Sequence, residues 1–108
     1  MNIEKINSMF RSSALEICKY AEAHKDIIKK VVVFGSATNV DLYPEDDDTL
    51  DVAVYLYNPS NEAAELIADY LFNNISLVTP HVEGESDLNM NALQLYVDKG
   101  VVIYDNEW

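Results

Sequence analysis

The sequence predicts an α/β (α+β) domain, in which helices pack on a small mixed β-sheet of about four strands. Two observations support this fold class. Short apolar runs typical of buried strands alternate along the chain with segments whose apolar residues recur at helical spacing. The chain is also 108 residues long and 49% hydrophobic, which suits one modest core and predicts a single domain over residues 1–108.

The first half of the chain is predicted to contribute one helix and two strands. The run at 31–34 is continuously apolar and ends at Gly35, which predicts a strand buried on both faces. Residues 50–57 predict a second strand. An amphipathic helix is predicted before Lys25, because one face would carry Phe10, Ala14, Ile17, Cys18 and Ala21.

The second half is predicted to contribute two helices and two strands. Strands are predicted at 75–79, before Pro80 and an acidic loop, and at 101–104. Ser86 or Asp87 is the predicted cap of the later helix. The apolar positions at helical spacing are Ala63, Leu66, Ile67, Tyr70 and Leu71 in the earlier helix, and Ala92, Leu93, Tyr96 and Val97 in the later one.

Charge is unevenly distributed along the chain. Residues 1–36 carry six basic and four acidic side chains, whereas residues 37–108 carry one basic and fifteen acidic, giving a net charge of −12. Such a surface repels nucleic acid, because nucleic-acid binding depends on Lys and Arg contacts to phosphate. The charge favours divalent cations or a basic protein partner, and a solvated acidic surface that aids solubility is the alternative.

Neither a membrane segment nor a disulfide is predicted. No apolar run approaches the roughly 18 residues needed to cross a bilayer, and the polar N-terminus does not resemble a signal peptide. We therefore expect a cytoplasmic protein. Cys18 is the only cysteine, and its place in the helical pattern predicts a small core residue without chemistry.

The segment VVVFGSATNVDLYPEDDDTLDVAVYLY, residues 31–57, carries the candidate functional motif. An apolar strand ends in Gly35 and Ser36, and a strand bearing Asp51 follows after a loop. This arrangement resembles the minimal nucleotidyltransferase domains of the DNA polymerase β-like superfamily, in which Gly-Ser follows an apolar strand and Asp-x-Asp opens the next. With LYVDKGVVIYD at 95–105, the resemblance extends over about residues 10–105.

The resemblance implies a nucleotidyltransferase fold and the Mg²⁺-dependent transfer of a nucleoside monophosphate, most often AMP from ATP, to a protein or small-molecule hydroxyl. It implies that Gly35 and Ser36 contact the triphosphate, and that Asp51 is catalytic and binds metal together with two further acids. Three carboxylates suit two Mg²⁺ ions, which stabilise the attacking and leaving oxygens of a phosphoryl displacement.

The sequence departs from the family pattern at two of the three acids. Thr49 stands at the first position of Asp-x-Asp, and Ser76 stands where the third acid is expected. Ala37 also stands where a basic residue often follows Gly-Ser. Asp51 remains, and a carboxylate in an otherwise apolar strand is costly to bury without a partner, which favours a site role.

The acidic run at 45–48 offers a replacement ligand. Asp46 and Asp48 form another Asp-x-Asp, and a bulge before Leu50 would direct Asp48 towards Asp51 as a second metal ligand. A solvated acidic turn is the alternative for this run.

The remaining candidates are interpreted as structural or solvated. His24, near the end of the first helix, and His81, in a loop, lack partners at metal-ligand spacing. One basic cluster precedes the first strand, at the end opposite the Gly-Ser turn, and consists of Lys25, Lys29 and Lys30.

Two functional hypotheses follow from the resemblance and its departures. The first is an Mg²⁺- and ATP-dependent nucleotidyltransferase. The second is a catalytically inactive member that retains the fold as a protein-binding module. Small family members are often the antitoxin partners of helical RNA-cleaving toxins, and the acidic charge of residues 37–108 would complement a basic partner.

Overall fold

The computed structural model describes residues 2–45, 47–86 and 88–106. Within these residues three α-helices alternate with four strands, which confirms the predicted α/β (α+β) class. The elements are α1 Arg11–Ala23, β1 Ile28–Phe34, β2 Leu50–Leu56, α2 Asn61–Asn74, β3 Val78–Val82, α3 Met90–Val97 and β4 Val101–Asp105. Short 3₁₀ helices occupy Ile3–Lys5, Ser8–Phe10 and Gly35–Thr38.

The four strands form one mixed sheet in the order β3-β2-β1-β4. β1 pairs antiparallel with both β2 and β4, whereas β2 pairs parallel with β3 through a crossover that contains α2. Phe34 is the register partner of Asp51. The turn that follows β1 therefore lies beside the start of β2.

Helices cover both faces of the sheet. α1 and α2 contribute to the larger apolar cluster on one face, which includes Val31 and Val33 of β1. The smaller cluster on the other face joins Val32 and Phe34 to Leu93 of α3. This alternation confirms that residues 31–34 are buried on both faces. β1 begins earlier than predicted, at Ile28, so Lys29 and Lys30 lie within the strand rather than before it. Among the residues described, no helix combines the length and apolarity needed to cross a membrane.

The predicted buried face of the first helix is confirmed, because Ala14, Ile17, Cys18 and Ala21 of α1 are buried, as is Phe10 in the 3₁₀ helix just before it. Cys18 lies on this face, where its thiol donates a hydrogen bond to the carbonyl oxygen of Ile103 at 3.3 Å. Burial raises the pKa of the Cys18 thiol to about 11, so the protonated form prevails at neutral pH. The buried position agrees with the small core residue predicted from the sequence.

The predicted faces of α2 and α3 are only partly correct. Leu66 of α2 is 73% exposed, and Ala92 and Tyr96 of α3 are also exposed. The cap of α3 is Asn89, whose side-chain oxygen accepts from the Ala92 amide at 3.1 Å, rather than Ser86. Asp87, the other predicted cap, lies outside the described residues.

β3 begins at Val78, three residues later than the sequence predicts, and contains Pro80. A proline is tolerated there because β3 is an edge strand, where the missing N–H costs no ladder hydrogen bond. Leu77, just before the strand, has a φ of 67°, which is uncommon for a residue with a side chain. Its carbonyl accepts from the Leu50 amide at 2.6 Å and holds the starts of β2 and β3 together.

Candidate functional site

The candidate site lies where β1 ends and β2 begins. Gly35 has a φ of 76°, in the left-handed region that favours glycine. A Cβ atom at Gly35 would lie 2.9 Å from Oδ2 of Asp51. The turn and the close approach of Asp51 therefore both require glycine, and the structure brings these two predicted site residues together.

The Gly-Ser turn continues as the 3₁₀ helix Gly35–Thr38, in which Ser36 is half-buried. Asn7, a buried polar residue of the N-terminal segment, holds this 3₁₀ helix in position. The backbone N–H of Asn7 donates to the carbonyl oxygen of Ala37 at 2.8 Å. The side-chain nitrogen of Asn7 donates to the carbonyl oxygen of Leu42 at 2.7 Å. Asn7 therefore orients the loop that follows the turn, a role that its sequence context did not indicate.

A histidine accompanies Asp51 in the site. His81 lies on β3, not in a loop as predicted from the sequence, and its Nε2 is 3.7 Å from Asp51 Oδ1. This distance permits an ion pair when the imidazole is protonated but is too long for a hydrogen bond. The His81 and Asp51 side chains are 29% and 30% exposed, so solvent and a ligand can reach both.

Two threonine hydroxyls stand beside Asp51. Thr79 is the register partner of Asp51 on β3, and its Oγ1 lies 2.7 Å from Oγ1 of Thr49. Each hydroxyl therefore has a hydrogen-bond partner in the other. Thr79, rather than Ser76, is the β3 residue that neighbours Asp51.

Ser76 does not lie on β3, so the expectation that it stands in the third-acid position of that strand is wrong. It lies in the exposed turn before the strand, because β3 begins only at Val78. Its backbone carbonyl accepts from the Ser13 hydroxyl of α1 at 2.6 Å. Ser76 thus contacts α1 on one face of the sheet.

Asp48 is engaged within the acidic loop. Its Oδ2 accepts from the Glu45 amide at 2.7 Å, and its own amide donates to the Glu45 carbonyl at 3.1 Å. These two bonds close a turn and satisfy one carboxylate oxygen of Asp48. Asp46, the other member of the predicted pair, lies outside the described residues.

The described residues at the site do not fit a pair of Mg²⁺ ions. Such a pair requires several carboxylates, and Asp51 is the one carboxylate that the described parts of β2 and β3 place here. Across residues 2–45, 47–86 and 88–106, no three His, Cys, Asp or Glu side chains are grouped so as to hold a metal ion. Hydroxyls are neutral ligands, and imidazole suits softer cations than Mg²⁺.

The site thus combines a glycine turn, one carboxylate, one imidazole and a hydroxyl pair. Comparisons with models of known protein families, with curated proteins and with solved structures find no match for this chain. Its function is therefore inferred from these residues and from the surrounding surface.

Proposed function

We propose that the protein is a nucleotidyltransferase-like binding module that lacks the two-metal transfer reaction and binds a basic protein partner, as an antitoxin binds a toxin. One observation carries the proposal: the 2.7 Å hydrogen bond between the hydroxyls of Thr49 and Thr79. Thr49 precedes Asp51 by two residues, and Thr79 on β3 is the register partner of Asp51. Two neutral hydroxyls that are hydrogen-bonded to each other thus flank the Asp51 carboxylate.

The nucleotidyltransferase likeness in this proposal is supported by the geometry of the turn. Gly35 ends β1 directly beside Asp51 of β2, as the family resemblance leads us to expect. The same close approach favours the alternative function, Mg²⁺-dependent transfer of AMP from ATP. Under that alternative, the Gly35 and Ser36 turn would hold the triphosphate and Asp51 the metal.

The binding role is supported by the charge of the protein. A formal net charge of −12 steers basic partners towards the surface and repels nucleic acid. A cytoplasmic location, where such partners are synthesised, is part of the same proposal.

Calorimetry with ATP tests the proposal directly. We expect no Mg²⁺-dependent binding at millimolar ATP, either for the natural chain or for Asp51→Asn. Mg²⁺-dependent binding that disappears in Asp51→Asn would support the transferase and overturn the proposal.

A second pair of variants tests the nucleotidyltransferase likeness itself. Thr49→Asp combined with Thr79→Asp places carboxylates at both flanking positions, and we expect Mg²⁺-dependent ATP binding to emerge. Thr49→Asn combined with Thr79→Asn is the matched control, because it has a similar shape without the charge. A folded Asp variant that binds no more ATP than the Asn variant would contradict the likeness.

A further inference from the structure

The outer face of α2 combines acidic and large apolar side chains. We define it by its exposed residues Glu62, Glu65, Leu66, Asp69, Tyr70 and Phe72. Leu66 is 73% exposed and Phe72 is 67% exposed, so each contributes little buried apolar area to folding. The helix contains no Lys or Arg to neutralise its acids.

Folding alone does not account for this charge pattern. Glu62 lies in the first turn, where its interaction with the helix dipole stabilises the helix. Asp69 lies too far from the N-terminus for this interaction. Glu65 stands three residues after Glu62 and four before Asp69. Like charges at these spacings repel each other and destabilise a helix.

A groove between α1 and α2 borders the outer face of α2. Tyr20 of α1 and Tyr70 of α2 stack in it, with ring centroids 4.3 Å apart. Leu66 and Ile75 supply further apolar lining. Lys19 is the one Lys or Arg that lines this groove among the described residues. The groove thus offers apolar contact beside a row of carboxylates.

The geometry points to a docking surface for a basic amphipathic helix of a partner protein. Its apolar side chains would enter the α1–α2 groove, and its Lys and Arg side chains would lie over Glu62, Glu65 and Asp69. A second copy of this chain is a poorer occupant, because a symmetric contact would place the same acids opposite one another. This inference rests on the proposed binding function and assigns its surface.

Peptide titration followed by NMR tests the assignment. The probe is a synthetic amphipathic helix of leucine and lysine, and the control peptide carries glutamate in place of lysine. We expect the basic peptide to shift amide signals of α2 and the α1–α2 groove, and the acidic peptide to shift none. Shifts centred on the acidic loop or spread over the whole surface would overturn the inference.

Two matched pairs of variants sharpen the test. Neutralising Glu62, Glu65 and Asp69 as Gln, Gln and Asn is expected to weaken peptide binding about tenfold, as for three exposed ion pairs. Neutralising three exposed acids of the loop, with Asp41→Asn, Glu45→Gln and Asp47→Asn, removes the same charge elsewhere and should leave affinity nearly unchanged. Equal weakening by both triple variants would mean non-specific attraction and would overturn the inference.

The apolar part of the surface has its own control. Leu66→Ser should weaken peptide binding, whereas Leu95→Ser on α3 should not, although both leucines are 73% exposed. Equal effects would overturn the assignment. ATP calorimetry tests the proposed function separately: Mg²⁺-dependent ATP binding would contradict that function, whereas peptide shifts away from α2 would contradict only this surface.

Discussion

Gly35 and Asp51 constrain each other where the two central strands meet. The φ of 76° at Gly35 disfavours any side chain, and a Cβ atom there would lie 2.9 Å from the Asp51 carboxylate. The carboxylate can approach the turn this closely only because the glycine lacks a side chain. Because the carboxylate lies against the turn, a ligand bound to Asp51 would also lie beside the turn.

Gly35→Ala is expected to lower the free energy of unfolding by roughly 1–3 kcal/mol, through backbone strain and the close contact with Asp51. The loss should be smaller in an Asp51→Ala background, because the nearest carboxylate oxygen is then absent and only the backbone strain remains. Urea denaturation of the four proteins in this double-mutant cycle measures the difference. An equal loss in both backgrounds would show that the carboxylate moves aside without cost.

Among the elements, α1, β1 and β2 could be predicted from their sequence patterns. The apolar positions of α1 recur at helical spacing, and β1 and β2 are short apolar runs typical of buried strands. A strand in the place of β3 could also be predicted, but its bounds could not, because Pro80 is a common strand terminator and is tolerated here only at the edge of the sheet. The shift of β3 hid the contact of His81 with Asp51 and the contact of Thr79 with Thr49. The alternation of Val78 and Val82 with Thr79 and His81 was the signal that could have found them.

Helical spacing predicted that α2 and α3 exist but not which residues they bury. α2 is buried through Ala64, Ile67 and Leu71, whereas Leu66 remains outside. Apolar residues cover more of the helix surface than the sheet and α1 can contact. The choice between neighbouring apolar stripes depends on tertiary packing, which periodicity does not contain.

The turn before β3 is attached to α1, and adjacent serines of α1 isolate that contact. Ser13 is buried and donates to the carbonyl of Ser76 at 2.6 Å, whereas Ser12 is exposed. Ser13→Ala is therefore expected to lower the free energy of unfolding by about 1 kcal/mol, because this partly buried hydrogen bond is lost. Ser12→Ala should be neutral or slightly stabilising, since alanine is the better helix former. Denaturant titration of both variants measures this, and equal effects would contradict a structural role for the contact.

The size of the whole molecule is similar to the distance over which its charges repel one another at low salt. The chain has principal extents of 36 × 26 × 26 Å and a net charge of −12. The Debye length is about 30 Å at 0.01 M salt and about 10 Å at 0.1 M. At the lower salt concentration, acids on opposite sides of the protein therefore repel one another, whereas at the higher concentration only neighbouring acids do.

Sodium chloride is therefore expected to stabilise the fold. Raising it from about 0.01 M to about 0.1 M should increase the free energy of unfolding by on the order of 1 kcal/mol, because self-repulsion favours the expanded chain. Thermal denaturation measures this as a rise in Tm of roughly 4 °C or more. Chloride is preferred to sulfate, which also strengthens apolar burial.

The neutral loop variant Asp41→Asn, Glu45→Gln, Asp47→Asn provides the control for the salt effect. It removes three exposed charges, so it should be more stable than the natural chain at low salt and gain less from added chloride. A fall in Tm with salt would instead mean that attractive pairs dominate. Lys25 and Glu22 form such a pair at 4.0 Å, but both are about two-thirds exposed, so solvent screening leaves it little weight. The repulsion among the excess acidic charges should therefore determine the sign of the response.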